Sequence, residues 1–240
     1  MLCCARLASD STNRRSGGVI SDSCIGTEGL RRSRGGGKST LVHPKQLAPV
    51  IRSTAGRPRG SDRDGGAGVS DSDQPWEERA AARVEETLSA AELPRELLLE
   101  VFQHARECYP EECCGLLTGT DRGDPVRVIR CSNVQSARVA RGESVLDARR
   151  AFWIDEQELL NALRGAEQRG ERLVVVYHSH VDTAAYLSFT DLEGALGPDG
   201  RPIYEGAAQL VVSVQESGVQ AAALFEWDES ARRFRGRAVR

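Results

Sequence analysis

Two of the chain's four histidines, His178 and His180, stand one residue apart at the end of an apolar, β-branched run, residues 173–177. Residues two apart on a strand point to the same side, so the two imidazoles converge. That is what a metal asks for, with neutral ring nitrogens about 2.0–2.1 Å from zinc. Asp191 follows eleven residues after His180, one turn into a short helix that begins behind Ser188. A strand–loop–helix return can carry this carboxylate back to the histidines. The resulting N,N,O set leaves a fourth position for water, the open arrangement of a catalytic zinc. The same residues also have a plainer reading, in which the histidines are a polar strand end, Ser188 is an N-cap and Asp191 suits the helix start. Spacing alone leaves the two readings level.

The whole string HSHVDTAAYLSFTD, residues 178–191, has His-x-His, then Ser eight residues after the second His, then Asp three further on. In this it resembles the JAB/MPN-plus (JAMM) zinc metallopeptidases. That family also carries an upstream glutamate at the edge of its first core strand, in a setting like Glu-x-Cys-Gly. Here YPEECCGLLTG, residues 109–119, puts Glu112 in that place, 66 residues before His178. The resemblance covers residues 93–227. It is closest to short prokaryotic members, including those that cut beside the C-terminal tail of ubiquitin-like sulfur-carrier proteins. It implies one zinc ion per chain held by His178, His180 and Asp191, Glu112 as general base, and Ser188 as donor to a developing oxyanion. It further implies a ubiquitin-like or sulfur-carrier protein with an extended tail as partner, and it admits a homodimer. Val181 and Leu187 depart from the family pattern, standing where many relatives have proline. Relatives of this fold also serve as non-catalytic interaction scaffolds, but those typically lose ligands, and all five positions are intact here.

The elements that must position these residues are legible in outline. A helix is expected over 94–107, with Pro94 suited to its first position and Leu97, Leu98, Val101, Phe102 and Ala105 on one face. Residues 114–119 and 126–131 read as two strands joined by the turn-rich DRGDP. Asp155 and Glu158 form a capping-box pattern before a helix that Gly170 ends. Strand 173–180, helix 189–196 and strands 210–214 and 221–227 complete the domain, and 77–88 has helical composition. Mixed strands and helices without regular βαβ alternation predict an α+β fold, a mixed α/β sandwich. With the resemblance, this becomes a JAB/MPN-like mixed β-sheet flanked by helices. Residues 138–150 are Arg-rich and without periodicity, a mobile lid or a solvated loop. His104 reads as a surface residue, and Gly115 as a point of close packing.

Composition divides the chain. All 12 aromatics lie at or beyond Trp76, while residues 1–75 hold half of the 24 glycines and only 13 of Val, Ile, Leu and Met. Too few to offset the entropy of ordering, these predict a disordered Ser/Gly/Arg-rich arm over 1–75 and one folded domain over 76–240. The arm carries 12 Lys+Arg against 7 Asp+Glu, which leaves the domain acidic at 20 against 28. An acidic domain offers phosphate no basic stripe, so nucleic acid is not an expected partner. No apolar run nears the roughly 20 residues of a membrane span, and no signal-peptide pattern leads the sequence. A cytoplasmic protein is expected.

Several rival chemistries fail. The string RGGGKST around Lys38 lacks the first glycine of a Walker A loop, with Arg32 in its place. Seven cysteines without paired Cys-x-x-Cys knuckles argue against a disulfide framework or a zinc ribbon. Cys113 or Cys114 as nucleophile would compete with the metal for His178, and buried small hydrophobes are the simpler role for both. An amidohydrolase barrel needs about 250 residues and further histidines, and only His43 and His104 remain.

Overall fold

The structure is a computed structural model and describes residues 80–240. The expected arm over 1–75 and the Lys38 string lie outside the described residues. A mixed six-stranded sheet organises the rest, in the order β3-β2-β4-β6-β7-β8. These strands are β2 (Cys114–Gly119), β3 (Pro125–Cys131), β4 (Arg172–Val181), β6 (Ala208–Gln215), β7 (Gly218–Asp228) and β8 (Arg233–Ala238). All neighbours are antiparallel except β4 and β6, which run parallel. A parallel pair requires a crossover, and the β4–β6 connection contains β5 (Leu187–Ser188) and α4 (Phe189–Ala195). The α+β class expected from sequence is the one observed.

Helices cover both faces. Along α1 (Arg95–Cys108), Leu98, Val101 and Ala105 pack on one side of the sheet with Leu117, Val175, Tyr177, Leu210 and Val212. On the other side α3 (Glu156–Gln168) buries Leu159 and Ala162 against Cys114, Leu116 and Val176. With both faces covered, β4 is buried from Leu173 to His180, which is why residues 173–177 read as a continuous apolar run without alternation. Gly115 is required by this packing. A Cβ there would fall 2.5 Å from the Tyr177 hydroxyl and onto the Ile129 carbonyl.

Three expectations need correction. The helical composition of 77–88 does not produce a helix in its described part. Instead β1 (Ala80–Ala82) pairs antiparallel with β5, and Val84 bridges Gly236. Helix propensity amounts to only tenths of a kcal/mol per residue, and backbone pairing outweighs it, supported by Glu85, which accepts from Arg235 at 2.6 Å. His104 is buried, its Nδ1 2.9 Å from the Tyr177 hydroxyl; an inward polar side chain finds a partner instead of the surface. The Asp155–Glu158 box is half made. Asp155 caps Gln157 and Glu158, but the Glu158 carboxylate turns away to accept from the Ser132 amide and hydroxyl.

Residues 138–150 are largely exposed, in keeping with the solvated-loop reading, but they are anchored at both ends. They continue from a short helix, α2 (Gln135–Ala140), and return to the core at Ala148 and Ala151, both buried. Gln135 Nε2 clamps the return by donating to the Leu146 carbonyl and the Ser144 hydroxyl, each at 2.7 Å. The Arg138 guanidinium lies 3.6 Å over the Trp153 ring, a cation–π contact. Val145 at the tip is 94% exposed, and residues 140–143, 147, 149 and 150 are exposed as well.

Candidate metal centre and active site

His178 and His180 lie near the C-terminal end of β4, between β2 and β6, with Cys114 and Val211 beside His178. Both are buried, and their Nε2 atoms are 3.2 Å apart. Asp191 Oδ2 lies 3.4 Å from the first and 3.2 Å from the second. Among the described residues these three form the one cluster whose donor atoms could hold a metal ion.

The surroundings fix each group. His180 Nδ1 lies 3.1 Å from the Ala184 carbonyl, which can only accept, so Nδ1 carries a hydrogen and it is Nε2 that offers its lone pair when the ring is neutral. Its ring also meets Tyr186 edge-on, and His178 stacks on Phe152 with centroids 4.5 Å apart. Asp191 is drawn into place by a reciprocal cap on α4. Ser188 Oγ accepts from the Asp191 amide at 3.1 Å, while Asp191 Oδ2 accepts from the Ser188 amide at 2.8 Å and hydroxyl at 2.6 Å. The N-cap reading of Ser188 and the ligand reading of Asp191 are therefore compatible.

This donor set fits a cation. With the ring neutral, His180 Nε2 turns a lone pair toward a carboxylate oxygen at 3.2 Å, and two acceptors at that distance need a positive charge between them, a metal ion or a proton. Burial opposes charge on all three groups. Even so, His178 and His180 hold the Asp191 carboxyl well below its usual range, while Asp191 raises His180. His178, penalised most by burial, is lowered. Two nitrogens and one oxygen in a buried pocket match the donor chemistry of zinc.

Glu112 enters from the start of β2 and is pinned along its backbone. Its amide donates to the Ala148 carbonyl at 2.7 Å, and its carbonyl accepts from Asn133 Nδ2 at 2.9 Å. Asn133 also gives a hydrogen bond to the Ala151 carbonyl and takes two from the Gln135 and Trp153 amides. This single amide therefore ties the 138–151 segment to the site. It went unnoticed in the sequence, where one Asn in a short loop carries no pattern. The next residue is held to β4, because Cys113 N donates to Ser179 Oγ at 2.8 Å. Glu112 Oε2 is buried without a hydrogen-bond partner among the described residues. Burial pushes its carboxyl up to about 8; His180 draws it down, and Asp191 and Asp147 add to the rise.

The competing nucleophiles are inert. Burial pushes the Cys113 thiol up to about 12 and Cys114 well above its ordinary value. The two departures from the family's prolines lie in paired strands: Val181 ends β4 opposite Val214, and Leu187 is fully buried and paired with Ala82 of β1.

The family model for prokaryotic homologs of the JAB domain matches residues 94–227. The chain belongs to this family. It is 34% identical over 105 residues to the "CysO-cysteine peptidase" of Mycobacterium tuberculosis (strain ATCC 25618 / H37Rv), covering 43% of this chain and 64% of that one. It is 33% identical over 103 residues to the "Probable TtuB-protein conjugate cleaving protease" of Thermus thermophilus, covering 43% and 62%. The matched part thus spans a little under two thirds of each relative's length. Solved structures aligned with this JAB-family chain include one from Desulfitobacterium hafniense (TM-score 0.46, 23% identity) and one from Salinibacter ruber (TM-score 0.43, 28% identity). Each alignment covers 62% of this chain and 90% of the other.

Glu112 gives the metal-free protein a pH signature. An acid raised in the folded state keeps a proton that the unfolded chain has already released. Between the ordinary carboxyl value of 4.5 and about 8, stability therefore falls as pH rises, by up to about 1.4 kcal/mol per unit. Urea titrations in chelator should show wild type losing on the order of 5 kcal/mol across this window relative to Glu112→Gln. Parallel curves for the two proteins would contradict a buried, protonated Glu112.

Proposed function

We propose that this JAB-family protein is a zinc-dependent peptidase that hydrolyses an amide bond at the C-terminal tail of a ubiquitin-like sulfur-carrier protein in the cytoplasm. The observation that carries the reading is the convergence of His178, His180 and Asp191 beside a buried carboxyl with one unpartnered oxygen. The names of the mycobacterial and Thermus relatives support the choice of substrate class. Retention of the three candidate ligands together with Glu112 and Ser188 favours the enzyme over a scaffold.

Zinc held by His178, His180 and Asp191 would act as a Lewis acid and lower the pKa of water towards 7. Glu112, with one buried oxygen unpartnered among the described residues, takes the proton from the attacking water and returns it to the departing amine. Its raised pKa suits both halves of that task near neutral pH. Ser188 serves the carbonyl oxygen as negative charge develops there, by turning its hydroxyl from Asp191; the Ser188 amide keeps the carboxylate in place at 2.8 Å. Asn133, through the Glu112 carbonyl, holds the base in register with β4.

The test is a panel of ubiquitin-like carriers bearing C-terminal extensions, analysed by mass spectrometry. Carriers ending in Gly-Gly before the extension should be cut after the second glycine, and Trp in place of that glycine should abolish cutting while the carrier stays folded. A panel left intact by zinc-loaded protein would sink the proposal.

A further inference from the structure

The described chain enters the fold beside the candidate centre. β1 opens at Ala80, which lies opposite Ser188 of β5, at the spacing of paired strands, about 4.8 Å. The Ser188 hydroxyl is in turn 2.6 Å from Asp191 Oδ2, and that oxygen is 3.2 Å from His180 Nε2. β1 runs antiparallel to β5, so its direction, followed back from Ala80, points past Ser188 to the start of α4, where Phe189 is 57% exposed.

The sequence ahead of Ala80 contains the kind of bond that the proposed peptidase would cut. Its nearest adjacent glycines, Gly65 and Gly66, are followed by Ala67 in the string DRDGGAG. Gly66 stands fourteen residues before Ala80, and a chain of that length spans up to about 50 Å when extended and roughly 20 Å when flexible. Either exceeds the distance from Ala80 to the candidate ligands, so the tether is long enough to double back onto them. Adjacent glycines also occur at Gly17 and Gly18 and over residues 35–37. Loop closure disfavours Gly37 by roughly 5-fold relative to Gly66, and Gly18 by more. Ala67 stands nine residues before Trp76, the first aromatic, so a cut after Gly66 leaves the expected domain over 76–240 whole.

From this placement we infer that the protein processes itself, its own centre hydrolysing the Gly66–Ala67 peptide bond in cis and releasing the sequence up to Gly66. The inference rests on the proposed peptidase reading. The water oxygen bonds to the Gly66 carbonyl carbon, the bond from that carbon to the Ala67 nitrogen breaks, and Glu112 passes the water's proton to the departing amine. The products are a carboxylate on Gly66 and an amine on Ala67, and no other reactant is needed. His178 is fully buried and the Asp191 side chain is 8% exposed, so two acyl residues without side chains approach these groups most closely. Tethering holds the bond at an effective concentration on the order of mM. A sequence that binds too weakly to be cut as a separate peptide is thereby cut within its own chain.

The experiment takes the full chain purified in chelator, adds zinc and follows intact mass. A species beginning at Ala67 should accumulate with a first-order rate constant that does not change with protein concentration. Glu112→Gln and Gly66→Trp should both stay whole at this bond, and Gly66→Trp, which alters nothing in the described fold, should still cut carriers. In zinc-loaded Glu112→Gln, a benzophenone amino acid in place of Ala67 should crosslink within one chain to residues 109–119 or 178–191, a readout that needs no turnover. A first cut at another bond, a rate constant that rises with protein concentration, or crosslinks only between copies overturns the inference. If carriers are cut while the Gly66–Ala67 bond stays whole, self-processing fails and the peptidase stands. If zinc-loaded wild type cuts neither, the peptidase reading fails and this inference with it.

Discussion

Glu112→Gln should lower turnover by on the order of 10²- to 10⁴-fold, the usual contribution of general acid–base catalysis, while zinc content stays at the wild-type level. The substitution keeps the shape of the side chain and one carbonyl oxygen, but the amide cannot take a proton from water. The backbone bonds to Ala148 and Asn133 that hold residue 112 do not involve its side chain, so the local fold is retained. Burial strongly favours an uncharged group at this position, as the carboxyl raised to about 8 shows. The metal-free variant should accordingly be no less stable than wild type at pH 7. Release of zinc by the variant would make Glu112 a ligand, and cleavage at the wild-type rate would remove it from the mechanism.

How far the sequence foretold this structure differs between its parts. The candidate ligands were legible because their geometry is local: His178 and His180 share a strand face, and Asp191 is held by its own helix cap three residues from Ser188. The strands of the central sheet were legible because two covering helices bury β4 and β6 along most of their length and leave apolar runs at 173–177 and 210–212. The partners contributed from a distance were not. β1 reads as helix because three alanines carry no strand signal, and only the edge of β5 makes them a strand. The last strand, β8, alternates Arg with Phe234 and Gly236, and this charged edge gives too little hydrophobic pattern to register. His104 was misplaced for a similar reason. Its partner is Tyr177, 73 residues away, and no local periodicity announces a buried hydrogen bond. Residues 138–151 are ordered by Asn133 and Gln135 bonding to backbone carbonyls, interactions that leave no periodic trace.

The second large effect separates metal binding from proton transfer. His178→Ala and Asp191→Ala should each purify without stoichiometric zinc and lose all measurable cleavage, and a chelator should do the same to wild type until zinc is returned. Mass action sets the accompanying loss of stability. A ligand present at about 1,000 times its Kd stabilises the folded state by roughly 4 kcal/mol, which for a domain of this size corresponds to a fall of about 8–16 °C in Tm on chelation. The two variants should then diverge in the chelated state. Asp191→Ala also strips the acceptor from the Ser188 amide and hydroxyl, the reciprocal half of the capping box, while the Ser188 cap on the residue-191 amide remains. His178→Ala removes a buried ring stacked on Phe152 and from between two carboxylate-binding partners only one, so His180 still meets Asp191. Residual weak zinc binding is therefore expected in His178→Ala before Asp191→Ala. Wild-type protein that purifies without zinc, with a Tm indifferent to chelator, would refute the metal centre and leave the buried triad as a proton-sharing cluster inside a scaffold.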